Sequence, residues 1–504
     1  MAHLDRKGVA FSDRSSARFV VQASTQQLLR GLPSVSALLE EADVRDWLDE
    51  IPRPIVLEAL QSALESLRDG ILAGRCTALP DADALLAEAE KYLKRRLSPS
   101  LKSVINATGI VLHTGLGRAP LCDDALDAIV EGASGYCNLE LDLESGERGK
   151  RSVHVAEELA RLTGAESATV VNNNAAATYL ILRTFAAGRE VVVSRGQLVE
   201  IGGSYRLPDI LEASGAKLCE VGTTNRTRIA DYERAVTEQT AILMRVHPSN
   251  YRVVGFSEEV SIHDLAALAH RRGLLAVDDL GSGALVDFAA LDLPDEPCVR
   301  TSIEAGADLA CFSGDKLVGG PQCGIIVGRR ELIERLEAGP LMRTYRVGKL
   351  TLLALEATLR QYADPHTAAE RIPTLAMLRA NTPKLAERAR ALVEQLETAL
   401  PRERFLTCSD VSYAGGGSMP MESLQTVVVQ WRPEQVAVDD AVRALRAAET
   451  PVVARIRDDA ICFDLRTLRD VEFGALVASV VHAACAEPEP LDDAPREGIS
   501  LPVL

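Results

Sequence analysis

Aromatic side chains make up only 4% of the 504 residues, with two tryptophans among them, which is poor material for a platform that stacks single-stranded RNA bases. No uninterrupted apolar run reaches bilayer-spanning length, and the start MAHLDRKGVAFSDRSS is broken by charges where a signal peptide needs its apolar stretch. A cytoplasmic protein with no membrane association is expected. The ten cysteines never form C-x-x-C and mostly sit inside apolar runs, which argues against structural zinc and against a disulfide framework. Basic residues are also in short supply: 55 Lys and Arg against 72 Asp and Glu leave a net charge of -17. Such a chain repels a polyanion as a whole, so any nucleic-acid partner must be held by a local basic patch. Composition alone therefore predicts a small-molecule enzyme of several domains.

Residues 1–30 carry Arg6, Lys7, Arg14, Arg18 and Arg30 against Asp5 and Asp13 without a clean period, and read as a loosely ordered basic arm. From about 31 to 100 the pattern is helical. Val56, Leu60, Leu64, Leu67 and Ile71 recur at three- and four-residue steps, as do Leu85, Leu86, Ala89, Leu93 and Leu97 after the breaker Pro80-Asp81. The last helix ends in EKYLKRRLSPSLK, where Lys91, Lys94, Arg95, Arg96 and Lys102 form the densest basic cluster of the chain. Cations at a helix C-terminus also complement the macrodipole, which accounts for the cluster without any ligand.

From about 101 to 370 short β-branched runs alternate with amphipathic helices. Buried strands are expected near 168–173, 190–195, 217–222, 241–247, 274–281, 309–314 and 323–328, with helices such as 175–187, 229–236 and 261–272 between them. This is an open α/β sheet with helices on both faces. A long helical pattern over 373–400 leads into a smaller α/β domain over 371–486, with strands near 425–431, 451–457 and 460–465. The tail 487–504 is acidic and Pro-rich, the composition of a poorly ordered end.

The strongest chemical signal is FSGDKLVGGPQCGIIVG, in which Lys316 stands between two predicted buried strands. Desolvation depresses such a lysine's pKa, and a neutral amine forms a Schiff base with a carbonyl cofactor. Read alone, Ser-Gly-Asp-Lys fits an exposed turn equally well. Three companions tip the balance. VDDLGSG places Asp279 at a strand end, suited to pair with a protonated pyridine nitrogen, with Asp278 one position away as the alternative. In VVNNNAAAT a strand runs into a helix start at Asn173, Asn174 and Ala175, where free N–H groups make a phosphate seat. In HPSN, Asn250 follows a strand end within reach of a ring hydroxyl. Together these parts describe a pyridoxal 5'-phosphate enzyme of the aspartate-aminotransferase fold type, fold type I.

INATGIVLHTGLGRAPL (105–121), CNLELDLESGERGKRSVHVAEELARLTGAE (137–166), DLGSGALVD (279–287), FSGDKLVGGPQCGIIVG (312–328) and KLTLLALEATL (349–359) closely resemble the bacterial L-seryl-tRNA(Sec) selenium transferases, the selenocysteine synthases. LPSVSALLE (32–40) and PVVARIRDDAICFDLRTL (451–468) extend the similarity over about 32–470. The resemblance implies an aspartate-aminotransferase-like large domain with a smaller C-terminal α/β domain and an all-helical N-terminal domain that grips tRNA. It also implies conversion of serine, esterified to the selenocysteine tRNA, into selenocysteine with selenophosphate, by a homo-oligomer built as a ring of dimers, a decamer.

Carried over residue by residue, Lys316 holds pyridoxal phosphate as an internal aldimine, is displaced by the seryl α-amine and takes the Cα proton. Loss of the β-hydroxyl and addition of selenium then complete the exchange. Ser282 and Ser313 join Asn173, Asn174, Ala175, Asn250 and Asp279 around the cofactor. Arg118, Arg343 and Arg346 hold the selenophosphate anion, for which planar guanidinium groups are suited, and Lys91, Lys94, Arg95 and Arg96 face the tRNA. Gly115, Gly339 and Gly348 depart from the family pattern near the anion site. The alternative function on the same large domain is a pyridoxal-phosphate lyase or aldolase acting on a small amino acid or amino-sugar phosphate.

Overall fold

The computed structural model describes residues 25–486 except 77, 203–204 and 295. The tail over 487–504 and most of the basic arm lie outside the described residues; the last stretch of that arm, 25–30, is helical. Two compact units meet in sequence between Lys102 and Ser103.

In the N-terminal unit the helices Val35–Leu38, Ala42–Glu50, Arg53–Leu72 and Ala82–Leu97 surround a small core. Ser34 and Asp81 cap two of them by accepting from Ala37 N–H and Ala84 N–H at 3.1 and 2.9 Å, as expected of N-cap side chains. The apolar period places Val56, Leu60, Leu64, Leu85, Leu86, Ala89 and Leu93 inside, whereas Leu97, at the frayed end of its stripe, is exposed.

The second unit holds two sheets. The larger has seven strands in the spatial order Ser167–Val171, Gly324–Gly328, Leu309–Ser313, Leu275–Gly281, Thr240–Val246, Glu190–Ser194 and Lys217–Val221. Its members run parallel except Gly324–Gly328, which is antiparallel to both neighbours. Both faces are covered. Ile325 and Val327 feed one apolar cluster while Ile326 between them feeds another, so the strands read as continuous hydrophobic runs.

The smaller sheet has the order Ile105–Ala107, Val452–Arg457, Ala460–Asp464, Ser418–Trp431 and Phe405–Gly415. Two features depart from the sequence reading. Ile105–Ala107 belongs to this sheet and not to the large domain, pairing in parallel with Val452–Ala454, and the long hairpin 405–431 was expected only over its last seven residues. A three-residue strand has no period to read, and Phe405–Gly415 alternates imperfectly between buried and exposed positions. The helical pattern over 373–400 is two helices, Pro373–Arg379 and Thr382–Ala399, divided where Asn381 caps the second by accepting from Lys384 N–H at 3.0 Å.

A buried polar network braces this sheet. The fully buried Asp464 carboxylate accepts from Arg455 Nη2 at 2.7 Å, Ser412 Oγ at 2.8 Å and Thr426 Oγ1 at 2.6 Å. Removing one member of such a network strands its partners in low dielectric. Asp464→Ala is therefore expected to cost about 3–5 kcal/mol, read as a lowered urea midpoint at unchanged slope; a loss below about 1 kcal/mol would show that water replaces the carboxylate.

Candidate active site

The parallel strands of the large sheet end on one side of the molecule, where ligands of open α/β sheets bind. Lys316 follows Leu309–Ser313 in a turn closed by Gly314 N–H to Cys323 O and Gly320 N–H to Gly314 O, both 2.9 Å. The turn is not exposed: Leu317 and Val318 are fully buried and Lys316 itself is 5% exposed. Burial, helped by the Arg118 charge, pushes the Lys316 amine below the ordinary lysine range, with Asp315, Asp279 and Glu296 opposing.

The strand Leu275–Gly281 supplies the acid, and its alternation separates the two candidates. Asp278 is consumed by Arg245, whose Nε and Nη2 donate to its two oxygens at 2.8 and 2.6 Å. Asp279 faces the lysine side and accepts from Asn174 Nδ2 and Thr178 Oγ1, both at 2.9 Å. Burial raises its carboxyl above the usual carboxylate range; the two hydrogen bonds and Lys316 act the other way. Thr178 was missed in the sequence, although it stands one helical turn after Asn174 and so had to share its face.

The helix Asn174–Phe185 opens beside this carboxylate. Asn173 caps it, accepting from Ala176 N–H at 2.9 Å, and Ala177 N–H closes onto Asn173 O. The N–H groups ahead of these, at Asn174 and Ala175, are the ones a helix start offers to an anion. Gly324 allows the close approach of strand and helix, since a Cβ there would fall 2.1 Å from Asn173 O. Ser282 is fully buried, its carbonyl accepting from Leu317 N–H at 3.2 Å and its hydroxyl turned to Leu280 O; Ser313 is buried at its strand end. Asn250 is exposed, and its amide donates to Glu200 O at 2.9 Å.

The three arginines occupy different settings. Arg118, held at a left-handed φ of 63°, donates to Asp315 at 2.7 Å beside Lys316. Arg343 is exposed on the short helix Met342–Tyr345, with no ion-pair partner among the described residues. Arg346 caps that helix in extended conformation, so no helical face joins the two. It pairs with Glu140 at 3.1 Å, a carboxylate that also holds Arg151 at 2.7 Å and Arg148 at 2.5 Å. Arg151 and Arg148 hold the Glu140 carboxyl down at about 2. Tyr345 O accepts from Asn172 N–H at 2.9 Å, which sets this arginine segment beside the helix start. Gly115, Gly339 and Gly348 all lie outside the left-handed region, and at Gly348 a Cβ would meet open space.

In the N-terminal unit, Lys91, Lys94 and Arg96 are exposed and pair with Glu88, Glu90 and Glu58 at 3.3, 2.8 and 4.0 Å, while Arg95 lies over the Tyr92 ring at 5.5 Å. No helix among the described residues is long and apolar enough to cross a membrane.

Among the described residues, a desolvated amine, a buried carboxylate with no cation bonded to it and a helix start with unclaimed N–H groups match the carbonyl, the ring nitrogen and the phosphate of pyridoxal phosphate. The orphaned Asn174 Oδ1 and Ser249 Oγ in the same region are further polar atoms awaiting a partner. Fold and site thus define an aspartate-aminotransferase-type enzyme of the pyridoxal-phosphate fold type I. Residues 104–469 match the family described as L-seryl-tRNA selenium transferase and 29–68 match the selenocysteine synthase N-terminal family, and the chain belongs to the L-seryl-tRNA selenium transferase family. It is 49% identical to the L-seryl-tRNA(Sec) selenium transferase of Solidesulfovibrio magneticus, over 92% of this chain and 99% of that protein. It is 48% identical to that of Moorella thermoacetica, over 91% and 97%. A solved D-glucosaminate-6-phosphate ammonia-lyase superposes with a TM-score of 0.53 at 21% identity, over 78% of this chain and 98% of that one, a likeness of fold alone.

The raised Asp279 pKa carries a sign. A carboxyl with a folded pKa above its unfolded value destabilises the fold as pH climbs from the unfolded value through the folded one. Without cofactor, Asp279→Asn is expected to melt higher than the wild type near pH 7, an advantage that vanishes below about pH 4, where the acid is protonated in both states. Thermal scans of the cofactor-free proteins test this; a lower melting point for the variant at neutral pH would show that the hydrogen bonds from Asn174 and Thr178 outweigh burial.

Proposed function

We propose that this protein converts L-seryl-tRNA(Sec) to L-selenocysteyl-tRNA(Sec) in a pyridoxal-phosphate-dependent reaction, with selenophosphate as selenium donor. The observation that carries the reading is the buried Lys316 amine beside Asp279 in a chain of this family. Pyridoxal phosphate, when bound, supplies an electrophilic carbonyl and a sink for the electrons released at the seryl Cα. Asn174 and Ala175 would seat its phosphate, and Asp279, positioned by Asn174 and Thr178, would keep its ring nitrogen protonated. Lys316 would be the base: its desolvated Nζ would take the Cα proton and return it at the end. An enzyme for free amino acids needs an arginine for the α-carboxylate, whereas the seryl ester has none. Here Arg118, the arginine whose charge acts on Lys316, is bonded to Asp315.

Arg343, exposed and without an ion pair among the described residues, is the arginine open to a second, tetrahedral anion, while Arg118 and Arg346, each bonded to a carboxylate, are the other two arginines assigned to it. The exposed Lys91, Lys94, Arg95 and Arg96 take the tRNA body through phosphate and 2'-hydroxyl contacts, by shape and not by base stacking. Leu126, Val130, Tyr136, Leu143 and Val153, all exposed, suit subunit contacts in a cytoplasmic ring of dimers, a decamer.

The decisive assay is conversion of seryl-tRNA(Sec) by the cofactor-loaded protein with selenophosphate, run beside free serine and ordinary seryl-tRNA(Ser). Product from seryl-tRNA(Sec) alone is expected, and Lys316→Ala should lose both turnover and the cofactor's visible absorbance. No product from a fully loaded enzyme would favour the small-molecule lyase. Arg343→Ala is expected to weaken use of selenophosphate roughly tenfold to a hundredfold, the worth of one charge-assisted contact, at unchanged tRNA affinity; an unaltered selenophosphate dependence removes Arg343 from the site.

A further inference from the structure

Ser249 is 1% exposed and its hydroxyl finds no hydrogen-bond partner among the described residues. A buried hydroxyl left in this condition costs stability, so its retention calls for a ligand that completes it. The surroundings say where such a ligand would sit. A Cβ placed on Gly281, at the end of the Asp279 strand, would lie 3.3 Å from Ser249 Oγ. A Cβ placed on Gly417 would lie 3.6 Å from the same oxygen and 3.7 Å from both Lys316 Nζ and Asn250 Cβ, so of Asn250 it is the stem, not the amide, that borders this space. Gly417 belongs to the turn between Phe405–Gly415 and Ser418–Trp431. The hairpin tip of the smaller sheet thus presents a bare glycine to the space that the lysine amine and the serine hydroxyl share.

Strand order then picks out the part of the ligand that meets this hydroxyl. The phosphate seat follows the first strand of the large sheet, Lys316 the third, Asp279 lies on the fourth, and Ser249 follows the fifth. In pyridoxal phosphate the ring carbon bearing the carbonyl is flanked by the phosphate arm on one side and the phenolic oxygen on the other. With phosphate, carbonyl and ring nitrogen assigned to strands one, three and four, the phenolic oxygen projects away from the first strand, toward the end of the fifth. We propose that Ser249, and not its neighbour Asn250, binds the cofactor by donating its hydroxyl proton to the phenolic oxygen of the ring. The assignment rests on the pyridoxal-phosphate reading of the site. Asn250 is excluded from the role because its amide already donates to Glu200 O on the exposed side of the loop.

The test is a pH titration of the bound cofactor's visible absorbance in the full-length holoenzyme. A donor to the phenolic oxygen drains its negative charge and so weakens the hold of that oxygen on the proton shared with the lysine nitrogen. Ser249→Ala is therefore expected to raise the titration midpoint by about half to one pH unit and to weaken retention of pyridoxal phosphate about twofold to tenfold. Asn250→Ala should leave the midpoint in place. Because the hydroxyl has no partner among the described residues, Ser249→Ala should not lower the melting temperature of the cofactor-free form. A midpoint unmoved in Ser249→Ala, or moved only in Asn250→Ala, overturns the assignment, as does a drop in cofactor-free stability, which would give Ser249 a structural role. Absence of any visible band in the wild-type protein loaded with pyridoxal phosphate would instead overturn the cofactor reading, and this assignment with it.

Discussion

Exclusion of water from the ends of the central strands governs the rest of this structure. It acts on two groups of opposite charge type, pushing the Lys316 amine toward neutrality and the Asp279 carboxyl toward protonation. Each shift disfavours the group's charged form. Asp279 is held by two neutral donors, in contrast to Asp278 on the opposite face, which a bidentate arginine satisfies. A ligand that offers a carbonyl to the amine and a protonated nitrogen to the carboxylate relieves both costs together. Hydrogen bonds from Asn174 and Thr178 hold the carboxylate for that encounter.

That dry space depends on how the chain is routed. Residues 105–118 leave the N-terminal unit's boundary by joining the smaller sheet through Ile105–Ala107. They then lie along the hairpin, with Val111 and Leu112 N–H donating to Tyr413 O and Ala414 O at 3.2 and 2.7 Å. They finish at Arg118, bonded to Asp315 next to the lysine. One segment therefore ties the smaller sheet, with its Asp464 network, to the residue beside Lys316. A displacement of either sheet would be felt at the amine, because a packed interior transmits small shifts.

The family's N-terminal unit carries a different physical demand. On the proposed reading, a chain of net charge -17 meets tRNA through a local set of cations, and the last turns of Ala82–Leu97 carry such a set, with Lys91 and Lys94 paired to neighbouring glutamates. Exchange of such exposed pairs for phosphates costs little, since surface ion pairs contribute marginally to stability. The helix macrodipole and a polyanion partner thus favour the same residues at the same place.

Periodicity by itself determined the seven strands of the large sheet, the helical N-terminal unit and the lysine between two buried strands, because a strand or helix that must bury one face records that need in residues close together in sequence. Composition and short motifs could not do more than this where partners are distant in the chain. That Asp279 and not Asp278 faces Lys316 follows from which side of one strand the helix Asn174–Phe185 covers. That Arg346 is spent on Glu140, while Arg343 has no ion pair among the described residues, depends on a loop about two hundred residues earlier. The pairing of Ile105–Ala107 with Val452–Ala454, the reach of the hairpin tip to Gly417, and the burial of Ser249 beside an exposed Asn250 are likewise properties of chain crossings. Only the tertiary structure decides them, since each is set by packing between segments that carry no local record of one another.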